Sequence, residues 1–419
     1  MKSFRTALKC FCVYAPIIGA ARCPDAASGK RQAAPGHAGK PRAGVYAIKP
    51  LFTLALMALP AFGAFPNGYS YCKVVIIQHT MVSGTNDLAN YPLAVVLTDA
   101  DLRTTGNGGL VNNTNGYDLG FYPDCSGSGT ALNWEMESYS ATTGAIVAHV
   151  LRPALSHTTD DTIGMYYGGD FSTFQSTASA VWNTGYQGVW HLASGALLTD
   201  STSSGSTLTN VNSAASATGQ VDGGVALVYT SSQQLTHADA TALRIPNTIT
   251  ISAWVKATTF RPLGVVVSKC ASGGPQYRNY DLDITATGFV RFYATQGYTA
   301  YRGLTANTAL TTGTWYYVSV VYDGTYQRIY RNGVPDGTNA LSGNVDYLLD
   351  GSMRIGQLES DPSTLFNGSI DEVRISSVAR SADWILTEYR NQNAPGTYIS
   401  AGPRIAGGAR VRHVVTGGD

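Results

Sequence analysis

Residues 315–333 read WYYVSVVYDGTYQRIYRNG, and this stretch decides the fold. From Trp315 to Tyr322, and again from Gln327 to Arg331, β-branched and aromatic residues fill a strand-length run. Asp323-Gly324 closes the first run and Asn332-Gly333 the second. A tight I′ hairpin turn needs positive φ at both central residues, which Asn, Asp and Gly reach at least cost. The expectation is a meander of antiparallel hairpins. Just upstream, TITISAWVK (248–256) alternates, placing Ile249, Ile251, Ala253 and Val255 on one face.

The same texture extends towards the N-terminus. CKVVII (72–77), YPLAVVLT (91–98), LGFY (119–122), WEMESY (134–139), AIVAHV (145–150) and TIGMYY (162–167) are each bounded by Gly, Asn, Asp or Ser. No segment sustains a helical period. With 419 residues the chain is long for one sandwich and comfortable for two. Charged residues are only 13% of the chain, which suits short strands and tight turns over salt-bridged helices. The fold class expected is therefore all-β, two antiparallel β-sandwich domains. Basic and acidic residues nearly cancel, 28 against 27, and no Lys/Arg cluster follows residue 50, so nucleic acid is excluded as a partner.

Residues 1–48 carry Lys2, Arg5, Lys9, Arg22, Lys30, Arg31, Lys40 and Arg42 against the single acid Asp25, and lack the material for a core. They read as a disordered basic leader or a misassigned start, with translation beginning downstream near Val45. Residues 49–64, KPLFTLALMALPAFGA, have the positive flank, short apolar run and small residues of a secretory signal peptide. The run is too short to span a bilayer, so no transmembrane segment is expected after cleavage, and the protein is expected to be exported, extracellular or at the cell surface. Beyond the leader stand Cys72, Cys125 and Cys270. Cys72 and Cys125 share one candidate domain and are the pair that an oxidising compartment could join; spacing alone leaves the bond open. The Ser/Thr/Gly-rich stretch 200–224 reads as a long loop inside the second domain, flanked by strands on both sides.

Two resemblances sharpen this. YPLAVVLTDADL (91–102), YDLGFYPDCSGSGTALNWEMESY (117–139), GAIVAHVLRPALS (144–156), DDTIGMYYGG (160–169) and AVWNTGYQGVWHL (180–192) resemble an uncharacterised bacterial family, domain of unknown function 2341. That implies a first sandwich over 71–188 on an exported protein, with no known activity. TISAWVKA (250–257), the hairpin segment, MRIGQL (353–358) and FNGSIDEVRISSVARSADWILTEYRNQ (366–392) resemble the laminin-G-like group of concanavalin A-like lectins and glucanases. This resemblance implies a LamG-like jelly roll over 189–400 and a short helix opening at Arg380–Asp383, followed by a flexible tail over 401–419. It also implies a structural calcium ion at Asp371, whose carboxylate strand alternation places beside Val373 and Ile375. The alternative is an Asp capping the turn after Gly368. Asp200 is the second calcium candidate, from its early-loop Asp-Ser-Thr pattern.

Aromatic rings on a sheet can stack on sugar faces while their hydroxyls bond polar groups. On that ground Tyr277, Tyr280, Tyr298, Tyr301 and Arg302 are the ligand-binding candidates. No catalytic residue is assigned. The retaining-glycosidase pattern Glu-x-Asp-x-x-Glu is missing from 190–400. Asp281 with Asp283, and Glu135 with Glu137, share strand faces, and solvation at a sheet edge accounts for both pairs. His79, His149, His157, His191 and His237 read as scattered structural or surface residues. The function expected is non-catalytic recognition of a glycan or surface protein through the jelly roll. The alternatives are a structural or adhesion spacer and, further off, a glycan-active enzyme.

Overall fold

The structure is a computed structural model and describes residues 64–175, 177–183, 185–270, 278–296, 300–345, 351–359 and 361–408. The leader, the signal-like segment up to residue 63, and the ligand candidates Tyr277 and Tyr298 lie outside the described residues. The first sandwich uses β1 (Tyr71–Ile77), β2 (Leu88–Thr98), β3 (Leu119–Tyr122), β4 (Trp134–Tyr139), β5 (Ala145–Leu155) and β6 (Asp161–Tyr167). One sheet runs β2-β5-β4; the other places β1 between β6 and the chain's final strand, with β3 beyond β6. Alternate residues of both sheets, among them Val75, Ile77, Leu93, Val95, Phe121, Trp134, Val150, Ile163 and Met165, close the core. Pro92 is tolerated because β2 is an edge strand, where a missing N–H breaks no ladder. Cys72 and Cys125 are joined by a disulfide, with Cα atoms 5.8 Å apart, beside Phe65, Tyr69 and Tyr166.

After a helical turn, α1 (Ala178–Val181), the chain enters the second sandwich with β7 (Tyr186–Trp190), β8 (Thr209–Val211), β9 (Ala215–Thr218) and β10 (Gly223–Leu227). There follow β11 (Gln234–His237), β12 (Ile249–Ala257), β13 (Leu263–Cys270), β14 (Arg278–Thr285), β15 (Phe289–Gln296) and β16 (Ala300–Ala309). The last of them are β17 (Tyr316–Tyr322), β18 (Tyr326–Arg331), β19 (Val334–Ala340), β20 (Ser352–Ile355) and β21 (Gly368–Ser376). They form an eight-stranded sheet, β19-β18-β17-β12-β21-β10-β9 with β7 also on β21, and a seven-stranded sheet, β16-β15-β14-β13-β20-β11-β8. Ile249, Ile251, Ala253 and Val255 all face the shared core, as the alternation requires. Asn332 and Gly333 stand at φ 50° and 77°, the two positive values of a I′ turn between β18 and β19. At Asp323-Gly324 only the glycine is positive, and the loop takes in Thr325 as well.

Ser381 caps helix α2 (Ala382–Asn393) by accepting the Trp384 N–H at 3.1 Å. After the single residue Ala394, a one-turn helix, α3 (Pro395–Tyr398), hands the chain to β22 (Ile399–Ala406). This corrects the tail expected from residue 401: through Ala406 the chain is a strand antiparallel to β1, with Ile77 opposite Ile399 and Tyr71 opposite Ala406. Gly402 and Pro403 hide the strand in the sequence, yet Pro is compatible with an edge. The chain thus leaves the first sandwich, builds the jelly roll and returns, and the described residues belong to one compact unit.

Candidate functional site

Two bulges meet across the seam between the sandwiches. In β4, Met136 is opposite Ala148 and Ser138 opposite Val147, so Glu137 is an extra residue. In β21, Asp371 is opposite Trp254 and Arg374 opposite Ser252, which again inserts one residue. Glu372 there takes φ 52°, a left-handed conformation that costs an ordinary side chain energy and recurs at functional sites. Ile370, Val373 and Ile375 all face the jelly-roll core, so the bulge moves Asp371 onto the opposite face. The expectation that Asp371 shares a face with Val373 and Ile375 is corrected on that ground. Strict alternation fails where a bulge adds a residue.

Glu135 and Glu137 from β4, His149 from β5, His191 just after β7 and Glu372 from β21 converge at this seam, all nearly or wholly sealed from solvent. His149 Nε2 lies 2.9 Å from Glu137 Oε2, and His191 Nδ1 lies 2.6 Å from Glu372 Oε1. His191 Nε2 is 3.2 Å from Glu135 Oε2, and the same ring's Nδ1 is 3.6 Å from Glu137 Oε2. The two imidazoles stack with centroids 4.4 Å apart, and the Trp182 ring tilts against both. Trp182 Nε1 and Ser201 Oγ donate to Glu135. Arg374 donates to Glu372 and to Glu388 of α2, which also accepts the Tyr317 hydroxyl.

Buried charge on this scale is costly unless every member has a partner. Burial would raise Glu135, but the charge and hydrogen bond of His191 outweigh it and hold the carboxyl at about 2. Glu372 is likewise held low, with burial overcome by His191 and Arg374. Burial, reinforced by Glu372, pushes Glu137 well above the carboxylate range. His191 is driven the other way: burial opposes its charge, and Glu372, Glu135 and Glu137 more than restore it. His149, buried beside that cation, is pushed down to about 3 and stays neutral. Two atoms are left over. Glu137 Oε1 and His149 Nδ1 are buried without a hydrogen-bond partner.

Solvation at a sheet edge is therefore not the explanation for Glu135 and Glu137, and His149 and His191 are not scattered. His79 and His157 do sit at the surface, each paired with an Asp. The one local clue was a titratable residue inside an apolar strand, His149 in AIVAHVL. Asp281 and Asp283 are buried as well, and are held by Arg278 at 2.6 Å and Arg291 at 2.7 Å.

The structure does not bring the two calcium candidates together. Asp200 accepts from the backbone N–H groups of Val189, Thr202 and Ser206 and from the Thr202 hydroxyl. Four donors leave it nothing to offer a cation, and it is withdrawn as a ligand. Asp371 Oδ2 accepts from Gln220 N at 2.7 Å and Val221 N at 3.0 Å, while Oδ1 is buried with no partner. Burial, with Glu372 alongside, pushes the Asp371 carboxyl up to about 8. Tyr280 is a core residue whose hydroxyl donates to the Leu243 carbonyl, so its ring is not a ligand platform. Tyr301 and Arg302 place their backbones in β16; their side chains lie outside the described residues.

A different surface emerges from the alternation around them. Leu282, Ile284, Val290 and Phe292 point into the core, so Asp281, Asp283, Arg291 and Tyr293 share the outward face of the seven-stranded sheet. The half-buried Tyr293 ring has the Arg278 and Arg291 guanidinium groups at 5.2 and 5.1 Å from its centroid. A Cβ on the opposite residue, Gly303, would lie 2.2 Å from that ring, so the glycine lets the tyrosine lie flat across β16.

Fold and seam together define a two-sandwich β-protein with a jelly roll as its second part. Residues 228–386 match the family described as the concanavalin A-like lectin/glucanases superfamily. A search of curated proteins gave no match. Among solved structures, domain 4 of AbnA, a GH43 extracellular arabinanase from Geobacillus stearothermophilus in complex with arabinotriose, is 19% identical over 48% of this chain and 96% of its own, with TM-score 0.39. The botulinum neurotoxin serotype G binding domain is 12% identical over 49% of this chain and 50% of its own, with TM-score 0.40. The binding domain of Paraclostridial mosquitocidal protein 1 is 11% identical over 49% of this chain and 52% of its own, with TM-score 0.41. The chain thus spans about half the length of the two toxin domains.

Proposed function

We propose that this is an exported recognition protein that binds carbohydrate on the outward face of the seven-stranded sheet, around Tyr293, Arg278 and Arg291. The observation that carries the reading is the jelly roll itself: residues 228–386 match a lectin-type family and fold as two packed antiparallel sheets. The tyrosine offers a sugar a stacking surface and the part-exposed Arg291 a charged donor, with the buried Arg278 fixing the ring from within the sheet. Of the ligand candidates read from sequence, Tyr301 and Arg302 fall in β16 of this same sheet. Export is supported by the signal-like run 49–64 and by the Cys72–Cys125 disulfide, a bond kept in oxidising compartments. The first sandwich would then be of the domain of unknown function 2341 type, serving as the mount. Calcium belongs to the proposal only through Asp371 Oδ1.

Titration of the full chain against a panel of polysaccharides and surface proteins tests this. Carbohydrate binding that falls at least about tenfold in a Tyr293→Ala chain that remains folded is the expected result. Binding to proteins alone would move the reading to a protein partner, and no binding at all would favour the spacer. Release of sugar by the wild-type chain would overturn the non-catalytic reading. In the same titrations, added calcium should raise the melting point of wild type and leave Asp371→Asn unmoved.

A further inference from the structure

We infer that Glu137, His149, His191 and Glu372 form a transition-metal site, and that zinc is the ion whose geometry fits it. The four residues each offer one ligand atom, and those atoms all lie within 4.8 Å of one another. Tetrahedral zinc, with bonds of about 2.0–2.1 Å, needs its ligand atoms about 3.3 Å apart. The distances along the cluster bracket that spacing: 2.6 Å from His191 Nδ1 to Glu372 Oε1, 2.9 Å from His149 Nε2 to Glu137 Oε2, and 3.6 Å from His191 Nδ1 to Glu137 Oε2. Two imidazoles with two carboxylates suit zinc and its transition-metal neighbours; calcium and magnesium prefer shells of oxygen alone. Glu137 is 1% exposed, and its second oxygen, Oε1, is buried with no hydrogen-bond partner, so the protein alone leaves this carboxylate under-satisfied at the point where a cation would bind.

The surroundings have the form of a metal's outer shell. Metal-bound imidazoles commonly pass their second nitrogen to a carboxylate, which fixes the ring. His191 does this through Nε2 to Glu135, and Glu135 is itself held by Trp182 and Ser201. Glu372 is aimed by Arg374, which Glu388 anchors in turn. The strained φ of Glu372 and the paired bulges are what bring ligands from four separate strands or loops to one point. A cavity of about 50 Å³, lined by Glu135, Glu137, His191, Thr199 and Ser201 among others, lies against the cluster.

The test uses the full chain, stripped with chelator and reloaded with zinc or cobalt. One equivalent of zinc per chain, a higher melting point in zinc, and the visible absorption of four-coordinate cobalt are expected. His149→Gln and Glu137→Gln should lose the bound metal and the cobalt band, and Ser201→Ala, outside the ligand set, should weaken binding about 10-fold. A folded wild-type chain that holds no zinc and shows no cobalt band overturns the site and leaves a buried ion-pair network. So does full metal retention by the folded Gln variants. If those variants do not fold, the wild-type stoichiometry and cobalt spectrum decide alone.

Discussion

Asp283 shows how one side chain can set the pH dependence of the fold. It lies beside Asp281 on β14, sealed from solvent, with Arg291 on one oxygen and no partner on the other. Burial and the neighbouring Asp281 push its carboxyl up to about 8. The unfolded chain titrates it near the ordinary aspartate value, so between about pH 4 and pH 8 the native state holds a proton that the unfolded state has released. A raised folded value contributes stability in full below the unfolded value and loses it as pH rises through the folded one. Denaturant melts should therefore show stability falling between pH 4 and pH 8, with Asp283 contributing up to about 5 kcal/mol, and Asp283→Asn should make that slope shallower, the raised carboxyls of Asp371 and Glu137 supplying the rest. A variant as steep as wild type would place the titration elsewhere. The sequence displayed the Asp-x-Asp spacing plainly, but its burial depends on Arg278, Arg291 and Tyr293 folding over it, and no local pattern records that. The same holds at the seam. Each of Glu137, His149, His191 and Glu372 sits in a different strand or loop, and two of them are placed by bulges that strict alternation misses.

Elements were more legible than residues wherever their signals were local. The Asn332-Gly333 turn, the Ile249-to-Val255 alternation and the Ser381 cap each follow from a few adjacent side chains. What α2 does after its cap is a tertiary matter. Trp384 packs at 5.0 Å against Tyr91 of the first sandwich, while Ile385 joins Trp254 and Tyr317 of the jelly roll. Near its end, Asn391 clamps the exposed edge of β2: Ala94 N–H donates to Asn391 Oδ1 at 2.8 Å, and Asn391 Nδ2 donates to the Ala94 carbonyl at 2.9 Å. The side-chain amide stands in for a neighbouring strand and covers an edge that would otherwise template pairing with another chain. Asn391→Ala leaves both buried Ala94 groups unpaired, and denaturant melts should show a loss of about 1–3 kcal/mol. Faster amide exchange at Ala94 should accompany it. A stable variant with unchanged exchange would mean that water replaces the clamp.

At the scale of the molecule, composition and length separated two sandwiches but could not show that they share their boundaries. The chain crosses from one to the other at β7, crosses back at α2, and then pairs β22 with β1, so that Ile77 meets Ile399 and Tyr71 meets Ala406 across more than three-quarters of the sequence. Linker-joined domains bury little between them and move freely; here the junction holds a stacked histidine pair, a buried arginine and the glutamates that satisfy it. Separating the halves would strip His191 of Glu135 and Glu137, leave the buried Glu137 and His149 with only each other, and free the edge of β1. The two sandwiches are therefore expected to unfold together. Calorimetry of the full chain should give one transition, with calorimetric and van't Hoff enthalpies in agreement. Ending the chain at Tyr398, which removes β22, should lower that single transition without splitting it, because β1 loses its ladder while the seam still couples both cores. Two resolved transitions in the intact chain, one tracking the disulfide-bearing sandwich and one the jelly roll, would show the seam to be an ordinary domain contact.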